Sequence, residues 1–336
     1  MRRSIVKWFA LFLLGCLPLY SIACSNQQAN KSSATPASKP LIVGTEPWAG
    51  FQGHYVAVAK DYFSAEGIKI QDEPFQTVSD TNTALLARRI DLAWIGAPDL
   101  VNLAAQNPAL KAIMLSDYSN GADGIMARNV SKPEDLKGKK IAREEAPYEM
   151  VFLGEYLKKS GLTEKDVQIV PLAAADAAVA FASGKVDAAL TYEPYLSTAV
   201  KQGKGEIIFT TKGTSIIPNI LVSSSQVLQE RRSEVLGYMR AVGKGVSFTK
   251  SNPQEAYKII AKDIGVKPEE IPAQLAGIRV MDIEGNKTIP FNANHSLSLV
   301  KSLRAATETL KSLGKTRNPN PVDAATLIDD SLIKSL

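Results

Sequence analysis

Residues 87–100 read ARRIDLAWIGAPDL, and residues 183–196 read SGKVDAALTYEPYL. An offset of 96 residues lays Ile90 on Val186, Asp91 on Asp187, Ala93 on Ala189, Pro98 on Pro194 and Leu100 on Leu196. Each stretch is a polar turn, a short apolar run and then a proline. That is the pattern of a buried strand feeding a helix that proline opens at its first position. A chain that carries this pattern twice is built from two similar units.

The flanking segments keep the same order. Before the first copy come a strand (LIVGTEPWAG), a helix (HYVAVAKDYFSAEG, stopped by Gly67), a strand (IKIQDEPF) and a helix (DTNTALLARR, with Asp80 or Thr81 as N-cap). Before the second come a strand (KKIARE), a helix stopped by Gly161, a strand (VQIVPLA) and a helix (ADAAVAFASG). Strands alternating with helices imply parallel-rich sheets with flanking helices, built from right-handed crossovers. The expected fold class is therefore α/β with two lobes. DYSNGADGIMAR and TSIIPNILVSSSQ are the expected crossings between them. Residues 41–124 then begin lobe 1, residues 125–217 form lobe 2, and residues 218–336 return to lobe 1, mostly as helices.

The formal charge of +5 does not point to nucleic acid. All of the excess lies in residues 1–40, which hold Arg2, Arg3, Lys7, Lys31 and Lys39 and no acid; residues 41–336 are neutral. No Lys/Arg run offers a surface for tracking phosphates. The N-terminus reads instead as a processing segment. A basic MRRSIVK precedes the apolar WFALFLLGCLPLYSIA, which is shorter than the ~20 residues of a spanning helix. RRSIVK also fits a twin-arginine signal loosely. Residues 1–23 are expected to be a signal peptide and residues 24–40 a flexible tether. SIAC resembles a bacterial lipobox, with Cys24 as the lipidated residue. LLGC makes Cys16 the alternative, but cleavage there would leave LPLYSIA at the mature end. These are the chain's two cysteines. The body therefore has no disulfide, cysteine zinc site or cysteine nucleophile.

Five segments of the body carry a family resemblance: EPWAGFQGHYVAVAKDYFSAEGI, LARRIDLAWIGAP, PEDLKGKKIA, GKVDAALTYEPYL and LIDDSLIKSL. In this order they resemble the solute-binding proteins of ABC importers of the nitrate/sulfonate/taurine type, a group that includes binders of thiamine pyrimidine precursors. The resemblance spans residues 41–336. It implies a type II periplasmic binding protein fold, with two α/β lobes that close on a small solute. It also implies a location outside the cytoplasm and an ABC permease and its ATPase as partners; with the lipid anchor read from SIAC, the chain is expected to be a monomer without a cofactor.

In open α/β sheets, ligands lie beyond the carboxyl ends of the strands. The charged groups gathered there are Glu46, Asp80, Asp99, Asp117, Asp123, Glu144, Glu145 and Glu193, against Arg143 alone. Oxyanion sites want backbone N–H groups, hydroxyls or Arg. The EEAPYE loop offers carboxylates and a proline without an N–H. The expected solute is thus neutral or cationic and donates hydrogen bonds: a pyrimidine-like heterocycle, an amine, or a urea- or guanidine-like compound. The alternative is an anion of the nitrate, sulfonate or taurine kind. Expected ligand-binding residues are Glu46, Trp48, Ser79, Asp80, Ser119, Asn120, Glu144, Tyr148, Tyr192 and Glu193. Glu193 is the main expected partner from lobe 2, and Trp48 or Tyr192 the stacking face. No metal site is expected. His54 reads as structural, and His295 has no assigned role.

An enzyme is the other class to weigh. The pyrimidine-related branch contains a synthase that consumes its own histidine and carries a cysteine-rich iron motif, which this body cannot supply. Walker, GxSxG and HExxH motifs are absent from the sequence. The chain is therefore expected to bind rather than to catalyse. Cys24→Ser should release the protein from membranes, because stable anchoring needs several acyl chains at about 0.8 kcal/mol per buried CH₂. Fractionation and N-terminal sequencing check this, and a membrane-bound mutant starting at Cys16 would reassign the anchor.

Overall fold

The computed structural model describes residues 39–316 and 323–336. The expected signal, tether and Cys24 lie outside them. A first run comprises β1 (Leu41–Thr45), α1 (Gln52–Ala59), α2 (Tyr62–Ala65), β2 (Ile70–Pro74), α3 (Val78–Leu86), β3 (Leu92–Gly96), α4 (Ala97–Ala104) and β4 (Leu110–Ser119). A second comprises β5 (Asp123–Ala127), β6 (Lys140–Arg143), α5 (Pro147–Lys159), β7 (Gln168–Pro171), α6 (Ala174–Ala182), β8 (Ala188–Tyr192), α7 (Tyr195–Gly203) and β9 (Glu206–Thr210). The chain closes with β10 (Pro218–Ser224), α8 (Ser225–Glu230), α9 (Arg232–Ser251), α10 (Pro253–Ile264), α11 (Ile271–Ala276), β11 (Ile278–Val280), α12 (Ile283–Thr288) and α13 (Leu299–Ser312).

These strands form two sheets, ordered β11-β4-β10-β3-β1-β2 and β7-β6-β8-β5-β9. The chain passes from the first to the second between Ser119 and Asp123, and returns between Thr210 and Pro218. Side chains alternate along the central strands, as a two-sided sheet requires. Leu92 and Trp94 of β3 join the core under α1, α9 and α10, while Ala93 and Ile95 join the one under α4 and α13. In the second sheet, Ile125 and Leu190 meet Phe152 and Leu153 of α5, whereas Met126 and Ala189 meet Phe181 of α6.

The sequence repeat marks a construction detail present in both sheets. Arg88 and Gly184, 96 residues apart, both sit in left-handed turns (φ 57° and 77°) just before β3 and β8. The matched aspartates then do the same work. Asp91 Oδ2 accepts the N–H of Ile42 in β1 at 2.9 Å, and Asp187 Oδ2 accepts the N–H of Lys140 in β6 at 2.9 Å. Each carboxylate fixes the register of a parallel pair, β1 with β3 and β6 with β8. Asp91 also pairs with Arg231 Nη1 at 3.0 Å, which ties the start of α9 to the first sheet.

Three expectations need correction. The sheets are mixed rather than parallel-rich. Each has two parallel pairings, while β10 and β5 run antiparallel to their neighbours on both sides. The reason is that the crossing chain enters each sheet from the end the parallel strands leave. The helix expected over 54–67 is broken into α1 and α2 by Asp61, which adopts φ 56°. The N-cap of α3 is Thr77, not Asp80 or Thr81: its Oγ1 accepts the Asp80 N–H at 3.1 Å.

Helices α1 and α9 meet backbone to backbone. A Cβ at Gly245 would lie 2.0 Å from the Gly53 carbonyl oxygen. Gly237, also in α9, faces side-chain atoms and no backbone, the nearest a methyl of Ile68 at 3.2 Å. Overpacking a fixed contact costs about 1–3 kcal/mol. Gly245→Ala should therefore lower the melting temperature by several degrees, and Gly237→Ala should lower it far less. Equal melting of the two variants in a thermal denaturation series would contradict the contact.

Candidate functional site

A cavity of about 40 Å³ lies where the ends of the two sheets meet. One water needs roughly 10–15 Å³ by this measure, so the cavity suits a solute of few heavy atoms. Glu46 and Trp48 reach it from the loop after β1, and Ile95 and Gly96 from the end of β3. Tyr148 comes from the first turn of α5 and Tyr192 from the end of β8. Asp123 and Asn219 come from the opposite ends of their strands, because β5 and β10 are antiparallel. Asp123 pairs with Tyr192, and Asn219 with Gly96. Phe51, Val78 and Ile217 complete the wall, which holds no Lys or Arg.

Buried hydrogen bonds fix these side chains. Trp48 Nε1–H donates to Asp117 Oδ2 at 3.1 Å, and Asn219 Nδ2–H donates to Asp117 Oδ1 at 2.9 Å. Ser116 Oγ–H also donates to Asp117. One buried carboxylate thus orients two cavity residues. A Cβ at Gly50 would fall 2.1 Å from Asp117 Oδ2, so only glycine fits there. The rings of Trp48 and Tyr192 meet edge to face across the two sheets, 5.7 Å apart at 83°. Thr81 Oγ1–H donates to Glu46 Oε1. Tyr148 Oη–H donates to Glu149 Oε1 at 3.1 Å. Asp123 Oδ2 is buried and has no hydrogen-bond partner.

Burial dominates the acidities. It pushes Glu46 up to about 8 against the pull of Thr81, and Asp123 up to about 7 against that of Ser119. It pushes Asp99 up to about 7 and Asp117 up to about 6. Glu144 and Glu149 are raised as well, again chiefly by burial. Arg143 does not offset these acids at the cavity. It is fully buried, pairs with Glu145 and Glu164 at 3.2 Å each, and donates to the Glu144 carbonyl at 2.8 Å.

Of the ten residues expected to bind ligand, Glu46, Trp48, Tyr148 and Tyr192 line the cavity. Glu144 and Ser79 meet at its edge, where the Ser79 N–H donates to Glu144 Oε1 at 3.4 Å. The other four have local partners instead. Glu193 accepts from the N–H and hydroxyl of Ser197, within the first turn of α7. Asp80 accepts from Thr77 Oγ1, and its side chain is exposed. Ser119 shares a hydrogen bond with Thr211 at 2.7 Å, and Asn120 accepts the Gly213 N–H at 2.9 Å, both at the crossings. Asp123 and Asn219 are the polar cavity side chains missing from the expected set. Asp123 stood among the strand-end acids, but at the start of its strand. His54 is buried in a chain of contacts with Asp72 (3.0 Å), Tyr238 (2.8 Å) and, through Tyr238, Trp94 (2.9 Å). It serves the core. Among the described residues, no group of three or more His, Cys, Asp or Glu converges to hold a metal ion.

A family model described as NMT1/THI5 like matches residues 48–256. The chain belongs to this family. A candidate aliphatic sulfonates-binding protein of Bacillus subtilis is 28% identical over 217 residues, 63% of this chain and 65% of that one. A protein of the same description from Escherichia coli is 25% identical over 183 residues, 54% of this chain and 55% of that one. The match thus spans less than two thirds of either relative. Among solved structures, the alkanesulfonate-binding protein of Xanthomonas axonopodis pv. citri bound to MOPS superposes with a TM-score of 0.72 at 21% identity. That superposition covers 89% of this chain and all of the other. The fold is that of the type II periplasmic binding proteins.

The buried acids make stability depend on pH. A carboxyl raised in the folded state keeps its proton while the unfolded chain loses one. Stability is therefore fully present below the unfolded value and falls as pH rises toward the folded one. For Glu46 and Asp123 this window runs from about 4 to about 8. The ligand-free protein should melt several degrees lower at pH 8 than at pH 5. Asp123→Asn should recover roughly 2–4 °C at pH 8, equivalent to about 1 kcal/mol, and little at pH 5. Scanning calorimetry at both pH values tests this, and a melting temperature that rises with pH would refute it.

Proposed function

We propose that this protein captures a small polar solute between its two lobes and passes it to an ABC importer. A permease, its ATPase, an exported location, a lipid anchor at Cys24 and a monomeric chain belong to this reading, as do lobes of 41–124 with 218–336 and 125–217. The family, the fold and the names of the relatives support solute binding for import. They also support binding over catalysis, since the relatives are named for what they bind.

For the solute, the observation that counts most is Asp123 Oδ2, buried and unpartnered in a cavity that Glu46 also lines and that has no Lys or Arg. A buried acceptor left unpaired is costly, and a donor on the solute would satisfy it. Flanked by Trp48, Tyr148 and Tyr192, the site suits a small planar or cationic nitrogen compound, such as a guanidine- or urea-like molecule. The relatives favour a second reading. Their names specify sulfonates, which fits an anionic solute and gives the nitrogen compound no support. In that reading Glu46 and Asp123 hold their protons and donate them to the anion.

The two readings differ in the sign of their pH dependence. A cation needs ionised carboxylates, so its binding strengthens as pH rises through 7–8; an anion held by protonated acids weakens over the same range. Calorimetric titration with guanidine, urea, an aminopyrimidine, nitrate, taurine and methanesulfonate at pH 6 and pH 8.5 distinguishes them. A charged hydrogen bond contributes about 1.5–3 kcal/mol, so Asp123→Asn should weaken a donor solute roughly ten- to a hundredfold. Tight anion binding that declines with pH and survives Asp123→Asn would replace the first reading with the second. Absence of binding by every compound in the panel would count against both solute classes.

A further inference from the structure

We infer that Glu144 is a built-in anion, which reaches from the second sheet to the first, latches the lobes and closes the site to oxyanions. The inference rests on the reading that the cavity takes a donor-bearing solute, and it concerns a feature outside the cavity wall.

The start of a helix carries unpaired N–H groups and the positive end of its dipole, and it attracts anions. Helix α3 begins at Val78 after Thr77, at the edge of the cavity. Its free donors are the natural seat for a sulfonate or nitrate. The seat is already taken. Glu144, which follows β6 in the second sheet, accepts the Ser79 N–H at 3.4 Å, and the Val78 N–H beside it also favours its carboxylate. Glu144 is only 5% exposed. Its backbone is held on both sides, its N–H donating to Glu149 and its carbonyl accepting from Arg143. The side chain has little freedom to swing away and admit a competitor.

The opposite helix start is closed in the same manner. Helix α5 opens with Pro147, which has no N–H to offer. The next N–H, of Tyr148, faces Asp99 of the first lobe, which is fully buried. Gly96 lets the two sides approach, since a Cβ there would lie 3.1 Å from Tyr148 Cβ. Each lobe thus presents a carboxylate to a helix start of the other. Arg143, the one cation in this loop, is spent on Glu145 and Glu164. An anionic solute would meet one helix start occupied by Glu144, another that faces the buried Asp99 and opens with a proline, and no free positive charge.

Glu144→Ala and Glu144→Gln test the inference. Binding of methanesulfonate and nitrate is titrated by calorimetry, and the radius of gyration of ligand-free protein is measured by small-angle scattering. Glu144→Ala should bind methanesulfonate roughly tenfold or more tighter than the wild type, and its ligand-free form should be less compact. Glu144→Gln keeps the shape and loses the charge. It should gain anion affinity by a smaller factor, and it settles the matter if the alanine variant does not fold. Unchanged anion affinity and unchanged compactness in a folded Glu144 variant would overturn the inference. Failure of the solute reading looks different: wild-type protein would bind methanesulfonate tightly, with an affinity that Asp123→Asn leaves intact.

Discussion

Two aspartates hold the architecture in register. Asp91 and Asp187 each accept the N–H of a residue at the start of a neighbouring parallel strand, and each follows a left-handed turn. A shift of one residue in either pair would turn its alternating side chains inside out. With register fixed, the loops after β1 and β6 and the ends of β3 and β8 come to the same level. Glu46, Trp48, Gly96, Glu144 and Tyr192 are therefore gathered by strand pairing before their own side chains interact. The repeated segment contributes walls to the cleft, but the aspartates matched between its two copies, Asp91 and Asp187, are structural pieces and not site residues.

The same geometry explains what the sequence disclosed and what it hid. Alternating strands and helices are local patterns, so two α/β units were legible. Residues at the carboxyl ends of parallel strands were legible too, which is why Glu46, Trp48 and Tyr192 were in view. The direction in which a strand enters a sheet is not local. β5 and β10 run antiparallel, so their amino ends reach the cleft and bring Asp123 and Asn219 with them. Glu193 shows the opposite limit. It stands in the right loop, but Ser197 lies one turn further on and takes its carboxylate. Short-range partners of this kind compete with any ligand, and the order of residue types does not reveal which prevails.

The acids around the cleft are costly to the fold. Burial raises Glu46, Asp99, Asp117, Asp123, Glu144 and Glu149 together. Hydrogen bonds from Thr81, Asn82, Trp48, Asn219 and Tyr148 return part of that cost. They do not reach Asp123 Oδ2. A core optimised for stability alone would replace such groups with apolar ones. Asp117, with both oxygens held, positions Trp48 and Asn219, whereas Asp123 keeps an unpartnered oxygen in the cavity wall.

The placement of β10 also governs the order in which the molecule can assemble. Every strand of the second sheet lies between residues 123 and 210, an unbroken stretch of chain. The first sheet cannot be completed from its own opening run, because β10 must insert between β3 and β4. As the chain emerges from the ribosome, the later-written unit has all its strands while the earlier one still has a gap at its centre. Until Ser224 is available, β3 and β4 each keep an edge open, and the apolar rows of β1 and β3 have no α9 to cover them. The half that begins the protein is therefore the half that finishes folding last.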